Sequence, residues 1–243
     1  MDCRQPPIET GIQRSLPIDV PFTVASWNIR KGINVEWIET VRDLSNPADL
    51  VLLQEGYIPN ELEQLGFVGS EQWFAPGYLT SSKQTGVLTA ARLDTLIHCQ
   101  LTATEPWLGT PKAMAITDFA TRGSAEVLRI INVHGVNFEL GEENLSAQLQ
   151  MLQPYLQDYK GPLILAGDFN TWSDGRTKAL MTFAARFNLR AVEFAPDART
   201  TALGYPLDHI LLRGLAVLES GVGVTDRSDH NLLWVTVVQS QMP

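Results

Sequence analysis

Apolar and polar positions along this chain fall into two periods. Phe22, Val24 and Ser26 alternate with Thr23, Ala25 and Trp27, which predicts a strand ending at Asn28. Asp49 to Glu55 is almost continuously apolar, the pattern of a central strand covered on both faces. Further strands are predicted over 85–91, 96–103, 112–119, 126–133, 163–166, 206–213, 215–220 and 232–238. The 85–91 and 96–103 runs are expected to pair antiparallel, as are 112–119 and 126–133. Helical spacing follows Asn34, a capping residue, with Val35, Ile38, Val41 and Leu44 as the stripe, Trp37 as packing and Asn46-Pro47 as the stop. It recurs at Leu145, Leu149, Leu152 and Leu156, where Pro154 should kink the helix or start a new one, and at Leu180, Phe183, Ala184 and Phe187. Asn60 with Glu63 has the form of a capping box before a short helix. Residues 66–82, with Trp73, Phe74 and Tyr78, read as loop with one strand of open extent, and residues 195–206 read as irregular. Residues 1–20 are rich in proline and polar groups and read as a flexible arm; 21–240 read as one domain without linker or repeat.

Composition narrows the function classes. The chain has 243 residues, enough for one large α/β domain, and carries a net charge of -9. That balance argues against broad wrapping of nucleic acid, while allowing an anionic substrate if a metal or local Arg and Lys receive it. Two cysteines, Cys3 and Cys99, make no disulfide framework. There is no apolar leader and no run of membrane-spanning length, so a cytoplasmic, monomeric protein without membrane insertion is expected.

The chemistry lies where the strands end. Asp168 and Asn170 close the 163–166 run, and Asn28, Glu55 and His134 close three others. Asp208 opens a strand, with His209 on the opposite face by alternation; Asp229-His230 precede the last one. Singly, each has a bland reading: an Asx turn, a structural carboxylate, a solvated histidine, and for Lys112 a surface lysine. Together they repel unless a cation or proton intervenes. Mostly oxygen donors favour Mg²⁺ or Mn²⁺. Two histidines, spare carboxylates and no activated serine point to attack by water on a phosphoester.

The ordered set Trp27-Asn28-Ile29, Gln54-Glu55, Asn132-Val133-His134, Gly167-Asp168-Phe169-Asn170, Asp208 and Ser228-Asp229-His230 resembles the endonuclease/exonuclease/phosphatase superfamily. His134-Gly135-Val136-Asn137-Phe138 and the Trp172 that follows Gly-Asp-Phe-Asn are similar to the bacterial YafD-like branch. The resemblance implies a four-layer α/β sandwich of the DNase I type, two facing mixed or mainly antiparallel sheets flanked by helices. A single Rossmann-like sheet is the runner-up. It implies Glu55 as principal metal ligand with Asn28 and Asp229 nearby. It implies catalytic roles for His134, Asp168, Asn170, Asp208 and His230, with Asp208 pairing His230. Lys112, Arg30, Asn137 and Trp172 are the implied substrate contacts. The implied activity is metal-dependent hydrolysis of a phosphodiester, with nucleic acid or nucleotide among the substrates. The alternatives are a phosphomonoesterase or phospholipid headgroup hydrolase and, third, a non-catalytic binding domain.

Overall fold

The structure is a computed structural model describing residues 2–5, 15–17, 19–42, 48–57, 71–79, 83–91, 93–122 and 127–240. The expected stop at 46–47 and capping box at 60–63 lie outside these residues. Along the chain run β1 (Phe22–Asn28), α1 (Trp37–Arg42), β2 (Leu50–Gly56), β3 (Glu71–Leu79), β4 (Gln84–Ala91) and β5 (Thr95–Thr104). Then come β6 (Pro111–Arg122), β7 (Val127–His134), α2 (Glu143–Gln150), α3 (Gln153–Leu156), β8 (Leu163–Asp168) and α4 (Asp174–Arg186). The chain closes with β9 (Asp208–Arg213), β10 (Leu215–Gly223) and β11 (Leu232–Gln239).

Two sheets face one another. One has the order β10-β11-β1-β2-β4-β3. The other runs β5-β6-β7-β8-β9, extended at its ends by Asp2–Arg4 beside β5 and Arg190–Ala191 beside β9. Alternation decides which side chains meet. Val24, Leu52, Ile130, Ile164, Ile210 and Val235 share the core between the sheets. Their neighbours Leu163, Leu165, Ile131 and Val133 point outward onto Leu145, Leu149, Leu180 and Phe183 of the helices. On the other outer face, Ala25, Trp27, Val51 and Leu53 pack against Trp37, Ile38 and Val41. Helix, sheet, sheet, helix is the four-layer arrangement the resemblance implies, and the single-sheet alternative is ruled out.

Several local expectations change. The strand left open within 66–82 occupies 71–79 and more of the segment than a loop reading allows; it is an edge strand, β3, the place in a sheet where proline is tolerated. β4 and β5 do not pair: Leu93 is buried in the core between the sheets, so the chain crosses from one sheet to the other there instead of turning back. Val35 precedes α1 and is exposed. Within the expected arm, Asp2–Arg4 and Leu16–Pro17 join the sheet of β5 and β6. Cys3 and Cys99 are register partners and form a disulfide, a link that spacing alone did not disclose.

Gly167, in β8, has a φ of +144°, and a Cβ there would lie 2.0 Å from the Val133 carbonyl oxygen of the neighbouring strand. Gly167→Ala is therefore expected to destabilise the fold by more than about 2 kcal/mol, combining backbone strain with overpacking. Urea unfolding checks this; a midpoint equal to wild type would show that β8 can shift at no cost.

Candidate active site

The parity that fills the core also builds the site. Counting outward in twos from Val24, Leu52, Ile130, Ile164 and Ile210 leads to Asn28, Gln54, His134, Asp168 and Asp208, on the face between the sheets. Register brings them to one edge: Asp168 is the partner of His134 on one side and of Asp208 on the other, and Asn28 is the partner of Gln54.

Asp168 is the hub. Its Oδ2 accepts from Asn28 Nδ2 at 2.9 Å and lies 3.8 Å from His134 Nε2 and 3.9 Å from His230 Nε2. Its Oδ1 accepts from the backbone N–H of Asn170 at 2.9 Å. Asn170 is left-handed, φ +51°, and its Nδ2 donates to the Gly135 carbonyl at 3.0 Å. A Cβ on Gly135 would collide with Phe169, so this approach needs glycine.

Glu55 breaks the parity rule. Alternation would send it outward with Val51 and Leu53. Its backbone is left-handed, φ +49°, at a register irregularity between β2 and β4, and the carboxylate turns back into the site, 3.8 Å from His134 Nε2. Asp229 sits at the mouth with Arg30, 3.3 Å away, and Lys31 Nζ is 3.9 Å from Glu55. Asn28 Oδ1 accepts the backbone N–H of Arg30, so this asparagine orients both Asp168 and the turn that follows. Asn137 Oδ1 accepts from Trp172 Nε1 at 3.0 Å, joining the loops that follow His134 and Asn170.

His230 Nδ1 and Asp208 Oδ2 are 2.7 Å apart. They meet across the sandwich, because β9 and β11 belong to facing sheets and not to one sheet. The loop before β11 carries His230 over, and buried Trp27 holds it by donating Nε1–H to the His230 carbonyl at 2.7 Å. His209 points to the other side, against Thr171, where burial lowers its pKa to about 3 and keeps it neutral.

The two site histidines carry different charges. Burial alone would lower His230, but Asp208 and Asp168 outweigh it and push it up to about 10. Burial lifts Asp208 while the imidazolium opposes that shift, so the pair competes for one proton. The proton belongs on the ring, which two carboxylates face. His134 is held well below its ordinary value by burial and by the Lys112 and His230 charges, so it stays neutral. Its Nε2 then accepts from Lys112 Nζ at 2.6 Å. Burial lowers Lys112 as well, opposed by Asp168, Glu105 and Glu55. Burial raises Glu55, with Lys112 and Lys31 opposing and Asp168 and Asp229 adding to the rise.

The sign of the linkage follows. A group raised on folding contributes stability that is complete below its unfolded pKa and lost as pH rises through the folded value. For His230 that window runs from the ordinary 6.5 to about 10. In the metal-free protein, the His230 ring resonances should titrate near pH 10, and in Asp208→Asn they should move toward neutrality. Titration of wild-type His230 near pH 6.5 would show that the ion pair does not form.

Beneath these groups lies a layer that the strand-end pattern did not single out. Gln54 Nε2 donates to Asn132 Oδ1 at 2.7 Å, and Asn132 Nδ2 donates to the Leu53 and Leu88 carbonyls, bridging the sheets under Glu55 and His134. Gln148 accepts the Val136 N–H and donates to the His134 carbonyl. It occupies an apolar-stripe position beside Leu145 and Leu149, the one signal that betrayed it. Arg176 is fully buried in α4 and donates to the carbonyls of Asn170, Gly141 and Val136 and to the Glu139 carboxylate. Nothing in its spacing separates it from a solvated helix arginine.

A two-sheet sandwich with carboxylates and unlike histidines at one edge has the architecture of the DNase I-like phosphoester hydrolases. The chain belongs to the endonuclease/exonuclease/phosphatase family, whose model matches residues 25–230. It is 39% identical over 215 residues to the UPF0294 protein of Erwinia tasmaniensis, covering 87% of this chain and 79% of the relative. It is 37% identical over 223 residues to the UPF0294 protein of Klebsiella pneumoniae, covering 90% and 83%. The family protein from Beutenbergia cavernae superposes with a TM-score of 0.70 at 15% identity, over 90% of this chain and 72% of that one. The human Nocturnin catalytic domain with bound sulfate does so at 0.69 and 20%, over 93% and 96%. ANGEL2, a 2',3'-cyclic phosphatase, gives 0.67 and 13%, over 94% and 99%.

Proposed function

We propose that this chain hydrolyses a phosphodiester by metal-assisted attack of water. The observation that carries the reading is the asymmetric pair of histidines around Asp168: one imidazolium held by Asp208, one neutral ring held by Lys112. The donor set at the mouth fits a hard cation. Glu55 is raised chiefly by burial, which Lys112 and Lys31 offset only in part and to which Asp168 and Asp229 add, so a bound Mg²⁺ or Mn²⁺ would favour its ionised form. The ligand atoms of Asp168, Asp208 and His230 also lie within 4.8 Å of one another, but a protonated imidazole offers no lone pair. Glu55 with Asp229 is therefore the better site, with Asn28 beside it as orienter.

When bound, the ion supplies Lewis-acid polarisation of the phosphoryl oxygen and countercharge for the leaving oxygen. Asp168, fixed by Asn28 and Asn170, orients the attacking water. His230 donates Nε2–H to a phosphoryl oxygen as charge grows there. His134 accepts from Lys112 and so aims the ammonium; it is not a proton donor while neutral. Lys112 contacts a phosphate oxygen, with Asn137 and Trp172 beyond it and Arg30 at the rim. If Lys112 binds ground and transition states alike, Lys112→Ala raises KM about tenfold and changes kcat little. Steady-state kinetics decide this, and a pure kcat defect would assign Lys112 to transition-state charge.

A panel of duplex and single-stranded nucleic acid, nucleotides, phosphomonoesters and phospholipids, assayed with Mg²⁺ or Mn²⁺, tests the reading. The net charge of -9 favours small or single-stranded substrates over duplex. One observation favours the phospholipid headgroup alternative: Trp107, Leu108, Phe138 and Leu140 are exposed on the loops beside Lys112 and Asn137. No helix of the described residues is long and apolar enough to cross a membrane. The expected cytoplasmic location would keep Cys3 and Cys99 as thiols, whereas an oxidising compartment would keep them bridged.

A further inference from the structure

Glu105 lies in the connection between β5 and β6, and its side chain is fully buried. The connection closes on itself around it: the Glu105 N–H donates to the Thr110 carbonyl, and the Gly109 N–H donates to the Glu105 carbonyl. Oε1 of the carboxylate accepts two backbone N–H groups of another loop, Asn137 at 2.7 Å and Phe138 at 2.5 Å. Among the described residues Oε2 has no hydrogen-bond partner, and it lies 3.8 Å from Lys112 Nζ.

The two oxygens have separable uses. Any buried acceptor, a glutamine included, would satisfy the two N–H groups. Only a carboxylate leaves a second, charged oxygen facing the ammonium. A buried charge is costly unless paired, and here the pairing runs onward: Lys112 bonds to His134 Nε2, which faces Asp168. We infer that Glu105 is a positioning residue for the substrate side of the site, one oxygen fixing the Asn137–Phe138 loop and the other holding the Lys112 ammonium in place for a substrate phosphate. The inference rests on the phosphoester reading for its kinetic consequences, but not for its structural ones.

Glu105→Gln and Glu105→Ala separate the two uses. Hydrogen exchange over residues 135–140 reads the loop, and NMR titration of the Lys112 ¹³Cε reads the ammonium; neither needs turnover. Kinetics with bis(4-nitrophenyl) phosphate and Mn²⁺ read the consequence. Glu105→Gln should keep loop protection, shift the Lys112 titration downward, raise KM about tenfold and leave kcat within about twofold. Glu105→Ala should also lose loop protection and lower kcat at least about tenfold, since displaced groups cost that much or more. Lys112→Met added to Glu105→Gln should raise KM no further, because both act on one contact. The inference is overturned if Glu105→Gln leaves the Lys112 titration unmoved, if Glu105→Ala keeps loop protection, or if the Gln and Met effects on KM multiply. A wild type that hydrolyses no phosphoester would sink the function reading, while exchange and titration would still decide the role of Glu105.

Discussion

His230→Ala is expected to lower kcat roughly 10²–10³-fold at saturating Mg²⁺ or Mn²⁺, the scale for losing one preorganised donor at developing charge. His230 is the cationic member of the site, bonded through Nδ1 to Asp208 and facing Asp168 through Nε2. Asp208→Asn should cost less, because an amide still fills the space but no longer favours the imidazolium. The double variant should be little worse than His230→Ala alone, since Asp208 acts through that ring. The basic limb of the wild-type pH profile should follow the His230 proton, with loss toward pH 10, and should move to lower pH in Asp208→Asn. Full additivity in ln kcat, with metal affinity unchanged, would refute the coupled pair. Trp27 offers a control of another kind, since it holds the His230 backbone and leaves the ring's charge alone.

The second large effect is expected at Glu55. Glu55→Gln keeps the volume and the left-handed backbone but removes the charge. Loss of an outer partner of a metal ligand typically costs 10–100-fold in affinity, so loss of the ligand charge itself should cost at least about 100-fold. Calorimetry with Mn²⁺ reads this directly, and turnover should fall with it. Thermal stability of the metal-free protein should hold or rise, because burial disfavours the native carboxylate by more than Lys112 and Lys31 favour it. An unchanged metal titration together with unchanged phosphodiester hydrolysis would remove Glu55 from the centre of the site. If binding is lost while hydrolysis is unchanged, the reaction does not use the ion held there.

Much of the site was legible because a strand carries its own geometry. A period of two places Asn28, His134, Asp168 and Asp208 on the face that also holds Val24, Ile130, Ile164 and Ile210, and no partner strand is needed to read that. The same reasoning separates Asp208 from His209, which the structure places on opposite sides. Helix stripes at Leu145–Leu156 and Leu180–Phe187, and the break at Pro154, follow from residue spacing alone.

What the sequence could not determine lies in backbone departures and in contacts between distant segments. Glu55 reaches the site only because one left-handed residue at an irregular register reverses its side, a cost that alternation cannot signal. The Cys3–Cys99 pair needed the register of Asp2–Arg4 against β5. The crossing at Leu93 needed the core between the sheets to exist before a hairpin could be excluded. Glu105 and Arg176 direct their polar groups to backbone atoms of loops far along the chain, and a lone charged residue in sequence carries no mark of such a partner; Gln148 shows its burial by its stripe position but not the backbone groups it bonds. Local periodicity thus determined which residues share a face, while the packing of two sheets decided which of those faces meet, and with them the charge on each histidine.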